Sequence, residues 1–319
     1  MINSAGLFKR KRNIIGLLFL AFCIACRFFT PVADFYAVHI YPLVSCVLSR
    51  LSSIFSFSLE EIVVLFFGAY FVGIFVKAVR HRQKFIIWLK KTFVLAMWLI
   101  VWFYLGWGNN YFRTGLYERN GIQHISYDQE KFREFLNNYT MELNKAAEGA
   151  ETYCREDLEL DAKAFYSDVA SRYGYARLHS WQKVKKPVIN SLFSAVSVTG
   201  YMGPFFYEAQ VNSDVSEVEY PYVMAHELAH LAGVTSEAEA SYWGFVFCRR
   251  SENKKLRYSA FLGLLPSVLQ NAEVFLTENE FNEWTMRWMP LRIFENRSRE
   301  CHSFSAQLPP MRILQTARD

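Results

Sequence analysis

The chain has 319 residues, 52% of them hydrophobic and 17% aromatic, and 35 Lys/Arg stand against 30 Asp/Glu. Twelve of the basic and three of the acidic residues fall within residues 1–109, which leaves 23 basic and 27 acidic residues after them. The positive balance therefore belongs to an apolar amino-terminal part. The slightly acidic remainder argues against a nucleic-acid partner, which needs a basic patch on the soluble surface.

Taken in order, Lys9-Arg10-Lys11-Arg12 is followed at once by the apolar run Ile14–Phe29. A basic start and an apolar middle suit a secretory signal, but Arg27 closes the run and no small-x-small cleavage pattern is convincing. The run reads as an uncleaved first membrane helix. Ile62–Ala78 and Phe93–Trp107 are two more apolar runs, each near the lower length for crossing about 30 Å of hydrocarbon. Trp102, Tyr104 and Trp107 sit where an aromatic belt would. Between the first two runs, Pro31–Glu61 is aromatic and moderately apolar; its Val44–Phe57 part carries Arg50 and several serines and reads as interfacial or folded back, with a fourth span as the alternative. Basic residues cluster before the first run and in the Lys77–Lys91 loop, which the positive-inside tendency places in the cytoplasm. Three crossings then put everything after Trp107 outside. The expectation is a multi-pass protein of the cell membrane, with residues 1–108 as anchor in the lipid bilayer and 109–319 as an extracytoplasmic domain. Cys23 and Cys26 read as membrane filler, while Cys46, Cys154, Cys248 and Cys301 would lie where disulfides are allowed.

From Asn109 onward the chain reads as one globular domain. Gln129–Ala147 has helical spacing, with Phe132, Phe135, Leu136, Tyr139 and Leu143 on one stripe, and Leu160–Tyr173 gives another helix. Ser191–Val211 mixes aromatic and branched residues with Gly200, Gly203 and Pro204, which suggests one or two strands. Such a strand beside an active-site helix could hold a substrate backbone by strand addition. Glu208 in this stretch reads as a solvated loop carboxylate.

Pro221–Gly233 reads as a short helix, with proline in its first turn and glycine at its end. Its His226-Glu227-Leu228-Ala229-His230 places two imidazoles four residues apart on one face, where both can grip one metal ion. Glu227 leaves a neighbouring flank, where it can act as general base toward a water that the ion acidifies. Zinc suits neutral imidazole ligands and an open position. A second helix is expected from Ser236 to about Arg250. Glu237 and Glu239 leave different faces of it, so one of them can be the third ligand, and spacing does not choose. Ser236 and Glu239 also fit a capping box, and Glu237 also suits the helix dipole. Tyr201, Tyr207, His179 and Tyr222 are candidate donors to an oxyanion. Asp214, Glu217 and Glu219 just upstream argue against an intramembrane protease, whose motif would sit in a long apolar span.

The residues Gly200-Tyr201, Pro204-Phe205, Glu208-Ala209, Val211-Asn212, His226-Glu227-Leu228-Ala229-His230 and Glu237-x-Glu239-Ala240 together resemble an uncharacterised family of bacterial multi-pass membrane proteins. That family carries a gluzincin-like HExxH zinc metallopeptidase signature. Three hydrophobic spans and then Trp107-Gly108-x-Asn110-Tyr111-Phe112-Arg113 add to the resemblance, which covers the chain to about residue 270. Here Ser241 stands where the family pattern Glu-x-Glu-Ala-Asn has asparagine. The resemblance implies about three amino-terminal transmembrane α-helices followed by a mainly α, α+β gluzincin-like domain. It implies one Zn2+ per chain on His226, His230 and Glu239, with Glu237 as the alternative third ligand, and Glu227 as the base that hydrolyses peptide or protein substrates. The competing expectations are an inactive membrane-anchored scaffold that keeps the zinc-site helix, and a structural membrane protein whose histidines are core residues.

Overall fold

Long apolar runs without breakers give long helices, and the computed structural model, which describes residues 4–80, 85–123, 126–147 and 151–287, is mostly helical. α1 spans Ser4–Phe28 and packs along α5, Phe85–Gly106, so that Cys23 meets Asn109 just past the end of α5. Between them lie α2 (Thr30–Phe35), a π turn (Tyr36–Ile40), α3 (Tyr41–Ser52) and α4 (Leu59–Arg80). Pro31 opens α2, and the π turn precedes Pro42 in the first turn of α3, where a proline lacks the N–H that a regular helix would use.

Three described helices are long and apolar enough to cross a membrane: Thr30–Ser52, Leu59–Arg80 and Ile86–Gly106. The first of these shows that much of Pro31–Glu61 is helical, through Ser52, and long enough to span, which length alone does not set against an interfacial placement. The serines that prompted the interfacial reading are absorbed by the helix. Ser45, Ser49 and Ser52 are buried, and each hydroxyl donates to a carbonyl one turn back, on Pro42, Cys46 and Ser49. This helix differs from α4 in its surroundings. A third of its apolar window is buried against protein, whereas none of that of α4 is. Both its ends are held by the second half of the chain. Near the start, Asp34 accepts from the Thr114 backbone N–H (2.9 Å) and hydroxyl (2.6 Å). Near the finish, the Trp181 indole donates to Ser49 (3.3 Å) and Lys185 to the Ser52 carbonyl (2.8 Å).

After α5 come a 3-10 turn (Gly108–Phe112), α6 (Leu116–Arg119), α7 (Gln129–Ala147), α8 (Arg155–Tyr173) and α9 (Asn190–Ala195). The two-stranded antiparallel sheet follows, β1 (Gly200–Gly203) against β2 (Glu208–Val211), with Gly200 opposite Val211 and Gly203 opposite Glu208. The chain then forms α10 (Tyr220–Leu231), α11 (Glu237–Arg249), α12 (Lys254–Phe275) and α13 (Glu278–Thr285). One buried core joins Cys26, Ala33, Tyr36, Tyr41 and Trp107 to residues of α8, β2, α10 and α11, so it runs across position 108 without a break. A second core packs Leu136, Tyr139 and Leu143 of α7 on Phe261 and Leu265 of α12 and on Trp284 of α13. Among the described residues Cys23, Cys26, Cys46, Cys154 and Cys248 are free thiols. Cys301 lies outside the described residues.

A buried polar junction ties α4 to the sheet. Glu208, read from sequence as a solvated loop carboxylate, is 1% exposed. It accepts from the Ser58 hydroxyl (2.9 Å) and from the backbone N–H groups of Leu59 (3.0 Å) and Glu60 (3.2 Å). A carboxylate there supplies the free donors at a helix start and faces the positive end of its dipole. Lys185 completes the junction by donating to Glu208 (2.7 Å) and to the carbonyls of Ser52 (2.8 Å) and Phe57 (3.0 Å).

Candidate metal centre

α10 is held at both ends by side chains from elsewhere. Near its start, the Tyr222 N–H, which has no partner within the helix, donates to the Ser259 hydroxyl (3.1 Å). Its finish is set by Gly233, whose φ of 99° is costly for any residue with a side chain. The Tyr41 ring lies so close that a Cβ at Gly233 would come within 2.9 Å of it. Aromatic donors also reach carbonyls of this helix, beside the Gly233 N–H that already bonds the His230 carbonyl (2.9 Å). The Trp107 indole donates to His230 (3.1 Å) and the Tyr41 phenol to Leu231 (2.9 Å), while Tyr166 reaches the Ala225 carbonyl (2.6 Å).

On the helix so fixed, the Nε2 atoms of His226 and His230 stand 3.0 Å apart. Glu237, in the first turn of α11, brings Oε2 to 3.1 Å from His226 Nε2 and Oε1 to 3.5 Å from His230 Nε2. Three donor atoms bonded tetrahedrally to zinc at about 2.0–2.1 Å would be about 3.3 Å from one another. The separations between the two imidazole nitrogens and from each to its nearer Glu237 oxygen are close to that value. One ligand atom from each of the three residues lies within 4.8 Å of the others, close enough for a small rearrangement to bring them round one ion.

The far sides of both rings are also engaged. His230 Nδ1 lies 2.7 Å from the Val234 carbonyl, which can only accept. The proton of a neutral ring is therefore on Nδ1, and Nε2 keeps its lone pair for a metal. His226 Nδ1 lies 3.4 Å from the Ser241 hydroxyl, which also interacts with the Tyr222 phenol. Ser241 thus does the orienting work at the position where the family pattern has asparagine.

The third ligand is where the structure departs from the resemblance. Glu237, the alternative, joins the two histidines, and Glu239 does not. Glu239 sits two residues further round α11, where its backbone N–H is capped by Ser236 (3.4 Å). Burial raises its carboxyl, against the pull of Arg119, Trp243 and Arg113 around it. The cap is one-sided: Ser236 receives the Glu239 N–H, and the Glu239 carboxylate is turned to the arginines.

Electrostatics within the cluster follow the geometry. Burial lowers His226, with the bond to Glu237 opposing. At His230 burial also works against the charge, but Glu237, Glu227 and the Val234 carbonyl outweigh it and the net shift is upward. Hydrogen bonds from both histidines hold Glu237 well below the usual carboxylate range, although its side chain is 80% exposed. That exposure leaves one side of the cluster open to solvent. Glu227 is buried, and burial pushes its carboxyl up to about 8, with His230 opposing and Glu237 adding. A bound cation would pull it back down.

β1 lies directly on Glu227. A Cβ at Gly200 would come within 2.5 Å of the Glu227 Oε1 atom and 2.8 Å of Val223, so only glycine lets the strand approach this closely. The Asn212 N–H donates to the Thr199 carbonyl (2.9 Å), and antiparallel pairing alternates. The peptide groups of Tyr201 and Gly203 therefore face β2, and those of Gly200 and Met202 face away from it. The far edge of β2 is already covered by Lys185, which exchanges bonds with Ala209 (2.8 Å) and Val211 (3.0 Å). Among the described residues no hydrogen bond occupies the outward peptide groups of Gly200 and Met202, while Glu227 lies against the face of β1 at Gly200 and Met202 itself is buried.

The oxyanion candidates separate. Tyr207 is buried with its hydroxyl on the Gly106 carbonyl and is not at the cluster. His179 is stacked on Trp181 at 4.2 Å, and its backbone N–H donates to Gln182 (2.6 Å). Tyr201 is bonded to Glu60 (3.1 Å) and feels the charge of Glu227. Tyr222 lies ring to ring with His226 at 6.2 Å. Sequence reasoning gave Trp107 a place in an aromatic belt, whereas it is buried and holds the His230 carbonyl, and it gave Tyr111 no role. Tyr111 packs edge-on to Trp107 at 5.0 Å and is raised by burial and then by Glu237. Both stand in the Trp107–Arg113 string quoted for the resemblance, so the signal was present without a role at the centre attached.

A family profile described as "Protein of unknown function (DUF3810)" matches residues 36–298, and the chain belongs to that family. No curated protein and no solved structure matches the chain.

Proposed function

We propose that this chain is a membrane-anchored zinc peptidase of gluzincin type. The observation that carries the reading is the convergence of His226, His230 and Glu237, with Glu227 beside them and β1 packed against Glu227 at Gly200. Zinc held by the three ligands would supply Lewis acidity and an acidified water. Glu227 is placed to take a proton from that water and pass it to the leaving amine. The Val234 carbonyl holds His230 in the ligating tautomer, and the Ser241 hydroxyl would do the same for His226 by accepting from Nδ1. The Gly200 and Met202 peptide groups are free to pair with an extended substrate, and Tyr201 or Tyr222 would donate to the oxyanion.

In this reading α1, α4 and α5 cross the membrane. The end of α1, the start of α4 and the end of α5 all abut the second half of the chain. Thr30–Ser52, held at both ends by that same half, lies along it. The basic residues before Ile14 and between Lys77 and Lys91 then fall on the opposite, cytoplasmic side, and the metal centre is extracytoplasmic.

The test is the metal content of the full-length protein purified in detergent. About one zinc per chain is expected in the parent and in Glu239→Ala, with loss in His226→Ala and Glu237→Ala. Glu227→Gln should keep the zinc and abolish cleavage of a mixed-sequence peptide library. A folded parent without zinc overturns the hydrolase reading. Zinc without cleavage in the parent favours the inactive scaffold instead.

A further inference from the structure

β1 joins the candidate centre to the membrane helices, and what lies at its other end narrows the substrate. The strand begins at Gly200 over Glu227 and ends at Gly203, from which the chain turns at Pro204–Tyr207. Glu60, at the start of α4, accepts from the N–H groups of Phe205 (3.1 Å) and Phe206 (3.3 Å) in that turn. The rings of Phe205 and Phe206 pack on Trp102 of α5 at 5.4 and 5.3 Å. Phe205 also closes one end of an almost wholly apolar groove of about 430 Å3 between α4 and α5. Val64, Gly68, Thr92, Leu99 and Trp102 line the rest of it. At Gly68 an added Cβ would meet nothing within 4 Å, so the groove is open there. Strand edge and groove therefore meet at Phe205.

Reach and polarity select the occupant. The three steps from Gly200 to Gly203 span about 10 Å, so a chain paired with β1 reaches the groove within a few residues of Glu227. The groove lies between two helices whose facing residues are almost all apolar and offers almost no partner for a polypeptide's backbone groups, whereas an acyl chain has none to satisfy. The segment that leads into β1 is apolar as well. Val188, Leu192 and Val196 in it are exposed, and the N–H groups of Val188 and Ile189 are tied to Glu61 of α4 at 3.0 and 2.9 Å. Exposed apolar residues at this level suit the membrane surface.

Resting on the peptidase reading, we infer that the substrate is a lipid-modified polypeptide. Its acyl chain lies in the α4–α5 groove, and the residues next to the lipid pair with β1. The bond beside Glu227 is hydrolysed: the C–N bond breaks, the water oxygen goes to the carbonyl carbon, and the water protons are shared between the new amine and solvent.

The experiment uses full-length protein in detergent micelles and a ten-residue mixed-sequence peptide library, with and without one terminal palmitoyl group. The parent is expected to cut the palmitoylated library at least about tenfold faster, with the cut about three to five residues from the lipid. Gly68→Phe and Val64→Trp, two independent ways of filling the groove, should both remove that preference. Equal rates on the two libraries overturn the inference while the peptidase reading stands, as does a preference that survives both groove variants. Binding of the palmitoylated probe to Glu227→Gln, with and without Gly68→Phe, decides the groove apart from turnover. A loss of binding on filling the groove supports the inference even where neither library is cut, an outcome that refutes peptidase activity alone. Equal binding, or displacement by free palmitate as effective as by the palmitoylated peptides, overturns it.

Discussion

Lys185→Met is the sharpest test of how the membrane helices are joined to the sheet. Lys185 and Glu208 have side chains 6% and 0% exposed, and their ion pair is 2.7 Å long. Removing the ammonium leaves the Glu208 carboxylate buried with only the neutral donors of Ser58, Leu59 and Glu60. The carbonyls of Ser52 and Phe57 lose their lysine donor too. Breaking one side of a buried pair costs about 3–5 kcal/mol, most of it from the stranded charge. At about 2–4 °C per kcal/mol for a chain of this size, the unfolding midpoint should fall by about 10 °C. The assay is thermal unfolding of the full-length protein in detergent, followed with a thiol-reactive dye, because Cys23, Cys26 and Cys248 are buried free thiols. Adding Glu208→Gln to Lys185→Met removes the stranded charge and should recover at least half of the loss, in a double-mutant cycle. A fall of less than about 2 °C in the single variant, or no recovery in the double one, would refute the argument that a buried charge pair closes this junction.

Three further outcomes follow from the centre itself. Ser241→Ala takes away the partner of His226 Nδ1 and should weaken zinc binding about tenfold, measured by competition with a chromophoric chelator; unchanged affinity would show that the serine orients nothing. Gly200→Ala places a Cβ within 2.5 Å of the Glu227 carboxylate. It should cost about 1–3 kcal/mol of stability and lower peptide cleavage while zinc content stays at the parent level. Full cleavage in that variant would mean that β1 does not approach Glu227 as described. Tyr41→Phe leaves the buried Leu231 carbonyl without its phenol donor and should lower stability by about 1–3 kcal/mol; an unchanged unfolding midpoint would remove this tyrosine from the supports of α10.

The parts legible in the sequence are those whose signal is local. The 3.6-residue stripe of α7 gave its limits, Gln129–Ala147, and the HExxH spacing placed His226 and His230 on one face. The glycine-punctuated aromatic stretch gave the hairpin. Other features depend on distance along the chain. Trp107 meets His230 across 123 residues and Tyr41 meets Leu231 across 190, and no local pattern encodes either contact. Glu237 and Glu239 are equivalent by spacing, and what separates them is tertiary: Arg119, Arg113 and Trp243 engage one, and the open side of α10 receives the other. That Pro31–Glu61 is helical through Ser52 was not legible, because serines count against a helix only until their hydroxyls are satisfied. Here the hydroxyls bond one turn back, and a π turn precedes Pro42. α12 was passed over because its apolar residues point all round, as befits a helix buried between two cores, and Pro266 interrupts its pattern.

The two donors that finish α10 bear on the order in which the protein is assembled. Tyr41 and Trp107 leave the ribosome well before residues 220–231, so the receptor for the end of the metal helix is in place before that helix exists. A fragment beginning after residue 108 would lack both donors, the Ser52 and Phe57 carbonyls that hold Lys185, and every helix-start donor that satisfies Glu208. Shedding of the second half by proteolysis would thus dismantle the ligand helix rather than liberate a soluble enzyme. The His226–His230 helix depends for its supports on the apolar helices that precede it.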